Sequence, residues 1–113
     1  MPYIHLNVSR PLTAEQIEAA RQAIAAIMPT LPGKTRDNTM IHIDGACALS
    51  MGDEGAPCLF MEIRLHGASP EASKKEFVAK AAVALSELFD IPERRMYINI
   101  IELDKWGVGS RIV

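Results

Sequence analysis

Apolar and polar residues alternate at the start of the chain, with Ile4, Leu6 and Val8 on one side and Tyr3, His5 and Asn7 on the other. That period of two predicts a strand over Pro2 to Val8 with one dry face. The period then lengthens. Ile17, Ala20, Ile24 and Ile27 recur at helical spacing and form one apolar stripe. Thr13, followed three residues later by Gln16, reads as a capping box, and Leu12 and Ile17 occupy the staple positions around it. Pro29, Pro32 and Gly33 end the helix. From Met40 to Gly45 alternation returns, with Ile41 and Ile43 facing one way and His42 and Asp44 the other.

The second half repeats this plan. Leu59, Met61, Ile63 and Leu65 alternate with Phe60, Glu62, Arg64 and His66, which predicts a second strand with one dry side. Ser69 before Pro70 predicts a cap with proline at the first helical position, and Phe77, Ala81, Leu85 and Leu88 continue at helical spacing until Pro92. A β-rich run from Met96 to Leu103 follows, and Gly107 and Gly109 mark a tail able to turn or add a small strand. These elements predict one domain over residues 1–113 in the α/β (α+β two-layer) class. It is a duplicated β-α-β chain whose four-stranded mixed sheet carries both helices on one face. The other sheet face would then display His5, His42, Asp44, Glu62 and Arg64. Such a regular polar face predicts a closed homo-oligomer that hides sheet edges around a solvated centre.

Composition narrows the function classes. A net charge of -2 and a pI near 5.9, with scattered basic residues, argue against a nucleic-acid partner. No apolar run approaches membrane-spanning length, and the opening MPYIHLNVS lacks the pattern of a secretory signal, so a cytoplasmic protein is expected. Cys47 and Cys58 lack the paired spacing of a structural zinc site and are expected to be reduced thiols, with no metal or cofactor implied. His5 and His42 are expected to be hydrogen-bonded structural histidines.

The opening MPYI, Gly33-Lys34, Pro57-Cys58, Leu65-His66-Gly67 and especially RRMYINI from Arg94 to Ile100 resemble the tautomerase superfamily, in its macrophage migration inhibitory factor branch. The resemblance runs along nearly the whole chain. It implies a homotrimer with active sites at subunit interfaces, each built on an amino-terminal proline exposed by methionine excision. On that pattern Pro2 is the base, Lys34 the adjacent cation, and His66 the position whose backbone amide contacts substrate. Tyr97 and Asn99 come from the neighbouring subunit, and Val108 is an apolar wall.

Departures from the family pattern carry information too. Met61 replaces the second cysteine of a CxxC pair, which removes the basis for thiol–disulfide activity. Asn38 and Ser110 stand where aromatic residues are expected, which argues against preference for an aryl substrate. Arg64 adds a cation suited to a second carboxylate, unless strand parity aims it at the trimer centre.

The implied chemistry is consistent with the residues. Tautomerisation needs a group that accepts and returns a proton, and donors that stabilise the enolate oxygen. A free prolyl nitrogen, partly buried beside Lys34, would have its protonated form disfavoured and act as a base near neutral pH. With Met1 retained that nitrogen is a non-basic amide. The expected activity is therefore a phenylpyruvate- or oxalocrotonate-tautomerase-like isomerisation of a small-molecule carboxylate. The same proline also serves relatives that hydrate haloacrylates or decarboxylate, and a non-enzymatic trimeric binding or signalling protein is the third alternative.

Overall fold

The computed structural model describes residues 1–113. Strand β1 (Pro2–Val8), helix α1 (Ala14–Ile27) and strand β2 (Met40–Asp44) form the first half; β3 (Leu59–His66), α2 (Glu71–Phe89) and β4 (Met96–Leu103) form the second. The strands lie in the order β2-β1-β3-β4. Within each half the two strands are parallel, and the halves meet through the antiparallel pair β1–β3. This is the duplicated β-α-β plan with a mixed sheet. The tail adds a small hairpin of two-residue strands, β5 (Gly107–Val108) and β6 (Arg111–Ile112).

Local sequence explains where the helices begin. Thr13 Oγ1 accepts the Gln16 N–H at 3.1 Å, and Gln16 Oε1 accepts the Thr13 N–H at 3.0 Å. Two amides that the first turn leaves unpaired are thereby satisfied, a gain of about 1 kcal/mol. The second helix starts differently from expectation. Pro70 itself occupies the cap position with no side-chain bond, and the first helical residue is Glu71. The Ser69 N–H donates to the Glu102 carboxylate at 2.6 Å, which ties the residue before the helix to β4. The helix ends at Asp90, which adopts a left-handed conformation with φ 53° ahead of Ile91 and Pro92.

Ile4, Leu6 and Val8 from β1 and Leu59, Met61, Ile63 and Leu65 from β3 are buried under the helices. Ile24 and Met28 meet them from one side, and Phe77, Ala81 and Leu85 from the other. Phe77 is fully buried, and its truncation to alanine would cost about 3–5 kcal/mol. Ile17 departs from the expected stripe, being 39% exposed at the outer end of α1. Because β1 is central and its dry face is clamped by this core, its first residue, Pro2, has a fixed position. No helix is long and apolar enough to cross a membrane.

Candidate active site

Pro2 opens β1, pairs with Leu65 of β3 and is itself buried, while Met1 is only half-buried. Around this chain start lies an open cleft of about 940 Å³. Its walls come from Met1, Pro2 and Tyr3, from Gly33, Asp37, Asn38 and Met40 before and within β2, from Arg64 on β3, from Leu103 at the end of β4, and from Trp106–Gly109 in the tail.

Lys34 is delivered by a tight turn. Gly33 adopts φ +77°, a conformation that strains other residues, and the Lys34 N–H closes the turn on the Leu31 carbonyl at 3.0 Å. The Lys34 ammonium then donates to the His66 carbonyl at 2.9 Å, which leaves two of its three N–H bonds free. Beyond His66, Gly67 turns the chain out of β3 with φ +80°. The His66 ring faces the tail, with Nε2 at 3.1 Å from the Asp104 carbonyl and its centroid 6.5 Å from that of Trp106. His66 thus contributes the carbonyl that orients Lys34.

Electrostatics at the chain start favour a neutral amine. Burial, and secondarily the Lys34 charge, hold the amino-terminal pKa below its ordinary value. The same lysine helps keep Glu102 anionic, although the Lys74 ammonium and the Ser69 amide contribute more to that.

Arg64 and Val108 both line the cleft. The Arg64 guanidinium is half-exposed and held only by a 3.5 Å contact to Glu62. Tyr97 and Asn99 lie elsewhere. In the sheet register Pro2 sits opposite Leu65 and Leu65 opposite Glu102, while Asn99 and Tyr97 lie three and five residues earlier on β4. Strand rise and spacing put them roughly 14 and 19 Å from Pro2. They line a separate hollow with Phe60 and Ile98.

Several cleft residues carry no sequence motif: Asp37, Met40, Leu103 and Trp106. Asn38 does line the cleft, and Ser110 is not among its wall residues. Trp106 supplies an aromatic surface there, which weakens the argument against an aryl substrate. Its signal was present, since it is the only tryptophan and lies in a tail next to Gly107. Both cysteines are free, Cys58 buried and Cys47 half-buried.

A model of the macrophage migration inhibitory factor family matches residues 1–112. The chain belongs to this family. It is 24% identical over 112 residues to a macrophage migration inhibitory factor homolog from Trichuris trichiura, covering 96% of this chain and 95% of the relative. It is 22% identical over 112 residues to D-dopachrome decarboxylase-B from Xenopus laevis, covering 97% and 93%. Among solved structures, Leishmania major MIF2 superposes with a TM-score of 0.92 at 20% identity, covering 100% of this chain and 97% of that one. Pt0534, described as inactivated by 2-oxo-3-pentynoate, superposes with a TM-score of 0.78 at 14% identity, covering 89% and 85%. The resemblance carried by MPYI and RRMYINI is thus established at the level of family and fold. This MIF-family chain belongs with it to the tautomerase superfamily.

Proposed function

We propose that the protein is a keto–enol tautomerase of small 2-oxo acids or related carboxylates, with Pro2 as its base after Met1 is removed. The observation that carries this reading is the chain start itself: the half-buried Met1 amine, whose protonated form is disfavoured beside Lys34, lies next to the buried ring of Pro2 in the same cleft. Excision of Met1 moves the free amine onto the buried pyrrolidine ring. The unprotonated nitrogen takes the proton from the carbon next to the carbonyl and the electron pair moves onto oxygen. The resulting ammonium delivers the proton to the enolate oxygen, which completes the tautomerisation; in the reverse direction the nitrogen takes the enol proton and delivers it to carbon. Lys34, with two unused N–H bonds, stabilises the enolate or a substrate carboxylate. Arg64 provides a cation for a second carboxylate, and Val108 and Trp106 supply apolar wall.

The single subunit has one cation-lined cleft and, well separated, the Tyr97–Asn99 hollow. In a homotrimer, Tyr97 and Asn99 of one subunit reach the Pro2 cleft of the next, and Asn99 adds a second donor to the enolate oxygen. The polar sheet face supports closed assembly. The name of the Xenopus laevis relative favours a second reading with the same proline, decarboxylation, in which loss of carbon dioxide generates the enolate that Lys34 stabilises.

The deciding experiment compares processed protein with a form that retains Met1, using enolised 2-oxo acids as substrates. Processing should raise the rate by about 10²–10⁴, the usual contribution of a positioned general base. Equal rates with Met1 in place would reject Pro2 as the base.

A further inference from the structure

The sheet face turned away from the helices holds a second constellation of side chains, formed by register and not by sequence proximity. His5 on β1 is the direct partner of His42 on parallel β2, and Asp44 follows two residues later on the same face. The two imidazoles stack with centroids 4.1 Å apart and planes 1° from parallel. Both direct Nε2 at one oxygen of Asp44: His5 at 2.7 Å and His42 at 3.1 Å. The three donor atoms all lie within 4.8 Å of one another. On the far side of the His42 ring, Nδ1 lies 3.1 Å from the Tyr3 hydroxyl.

We propose that His5, His42 and Asp44 bind one divalent first-row transition ion per chain, zinc in the first instance, through His5 Nε2, His42 Nε2 and Asp44 Oδ2. Two imidazoles and a carboxylate suit zinc, and three protein ligands leave a fourth position for water or a small anion. Tetrahedral zinc at about 2.0–2.1 Å from each ligand needs donor atoms about 3.3 Å apart. Two of the three separations are already slightly shorter and none exceeds 4.8 Å, and the two imidazoles must tilt out of their parallel stack so that both Nε2 lone pairs converge on the ion. The carboxylate is already anionic, its pKa lowered chiefly by the hydrogen bond from His5.

Protons balance without a co-reactant. In the tautomer with its proton on Nε2, each ring donates to Asp44 and His42 Nδ1 accepts the Tyr3 O–H. On metal binding each ring carries its proton on Nδ1, and His42 Nδ1–H donates to the Tyr3 oxygen. Tyr3 serves both states, which is the outer-shell support that orients a metal-ligating histidine. Tyr3 also lines the Pro2 cleft. Its O–H, released from His42 by metal binding, becomes available to the cleft.

The test is titration of the intact processed protein with Zn²⁺ by calorimetry and with Co²⁺ by visible absorption. One ion per chain at micromolar affinity is expected, with the visible band of tetrahedral Co²⁺ and no thiolate charge-transfer band. His42→Ala and Asp44→Asn should abolish binding. Tyr3→Phe, which leaves all three ligands in place, should weaken it about 10–100-fold. Absence of binding, one ion per three chains, or binding unchanged in His42→Ala and Asp44→Asn protein that remains folded by circular dichroism would overturn the proposal.

Discussion

Replacing Arg95 with methionine should destabilise the fold far more than a typical surface change, without touching the Pro2 cleft. Arg95 is the second arginine of the RRMYINI run, only 5% exposed, and immediately precedes β4. Its guanidinium donates to the Ala56 carbonyl at 2.8 Å and to the Pro57 carbonyl at 3.0 Å. Three longer contacts, of 3.4–3.5 Å, reach the Met51 and Glu54 carbonyls and the Glu54 carboxylate. Methionine keeps the bulk of the stem and deletes every donor. Counting only the two short charge-assisted bonds, at about 1.5–3 kcal/mol each, the loss is about 3–6 kcal/mol. For a chain of this length that corresponds to a fall of about 12–25 °C in the unfolding midpoint. Arg95→Lys should recover only part of it, because one ammonium cannot span both carbonyls. Urea titration at fixed protein concentration measures the effect, with concentration held constant because assembly adds its own stabilisation. A loss below about 1 kcal/mol in Arg95→Met would refute the view that this guanidinium fastens the 51–57 segment to β4.

Lys34→Ala should raise the pKa of the Pro2 ammonium by removing a neighbouring positive charge, and move the rising limb of the pH–rate profile to higher pH; an unmoved limb would show that burial alone sets the amine. Mixed assemblies of Pro2→Gly and Asn99→Ala chains should regain a fraction of intact sites, and activity no higher than in either single mutant would refute sharing between subunits. Glu102 has its folded pKa lowered first by Lys74 and then by the Ser69 amide, so its stabilising effect is present above the ordinary carboxylate value of about 4.3 and is lost as pH falls through the folded pKa. Glu102→Gln should therefore lower the urea midpoint at neutral pH and leave it nearly unchanged in strong acid, and an equal loss at both would contradict the linkage.

The layer plan and the first helix were legible because their signals are local. Alternation in Pro2–Val8 and Leu59–His66 fixes which side chains are buried, and the Thr13–Gln16 pair fixes a helix start. The second helix starts one residue later than read, and the Ser69 amide bonds Glu102, thirty-three residues away, beyond the reach of local signals. The same reason hid much of the cleft, since Asp37, Met40 and Trp106 converge only once β1 lies between β2 and β3. Pro2 and Lys34 were found through a family pattern, and nothing in their own spacing marks them. His5 and His42 were read as structural histidines, and the hydrogen bonds are there, but their alignment with Asp44 depends on a strand register that sequence alone does not supply.

The strand order leaves both ends of the sheet open in a lone subunit. β2 and β4 each present a row of backbone donors and acceptors with no partner in the same chain, beside exposed Met40 at one end and Tyr97 at the other. Such edges are adhesive towards any extended peptide. Dilution of an assembled form would therefore release a subunit prone to wrong pairing and not an inert monomer. If the chain assembles as proposed, its handling in the cell becomes a race, in which newly folded chains must meet their own kind before they meet other unfolded strands. Slow expression, which keeps subunits scarce, would be less protective for this chain than for one whose sheet closes on itself.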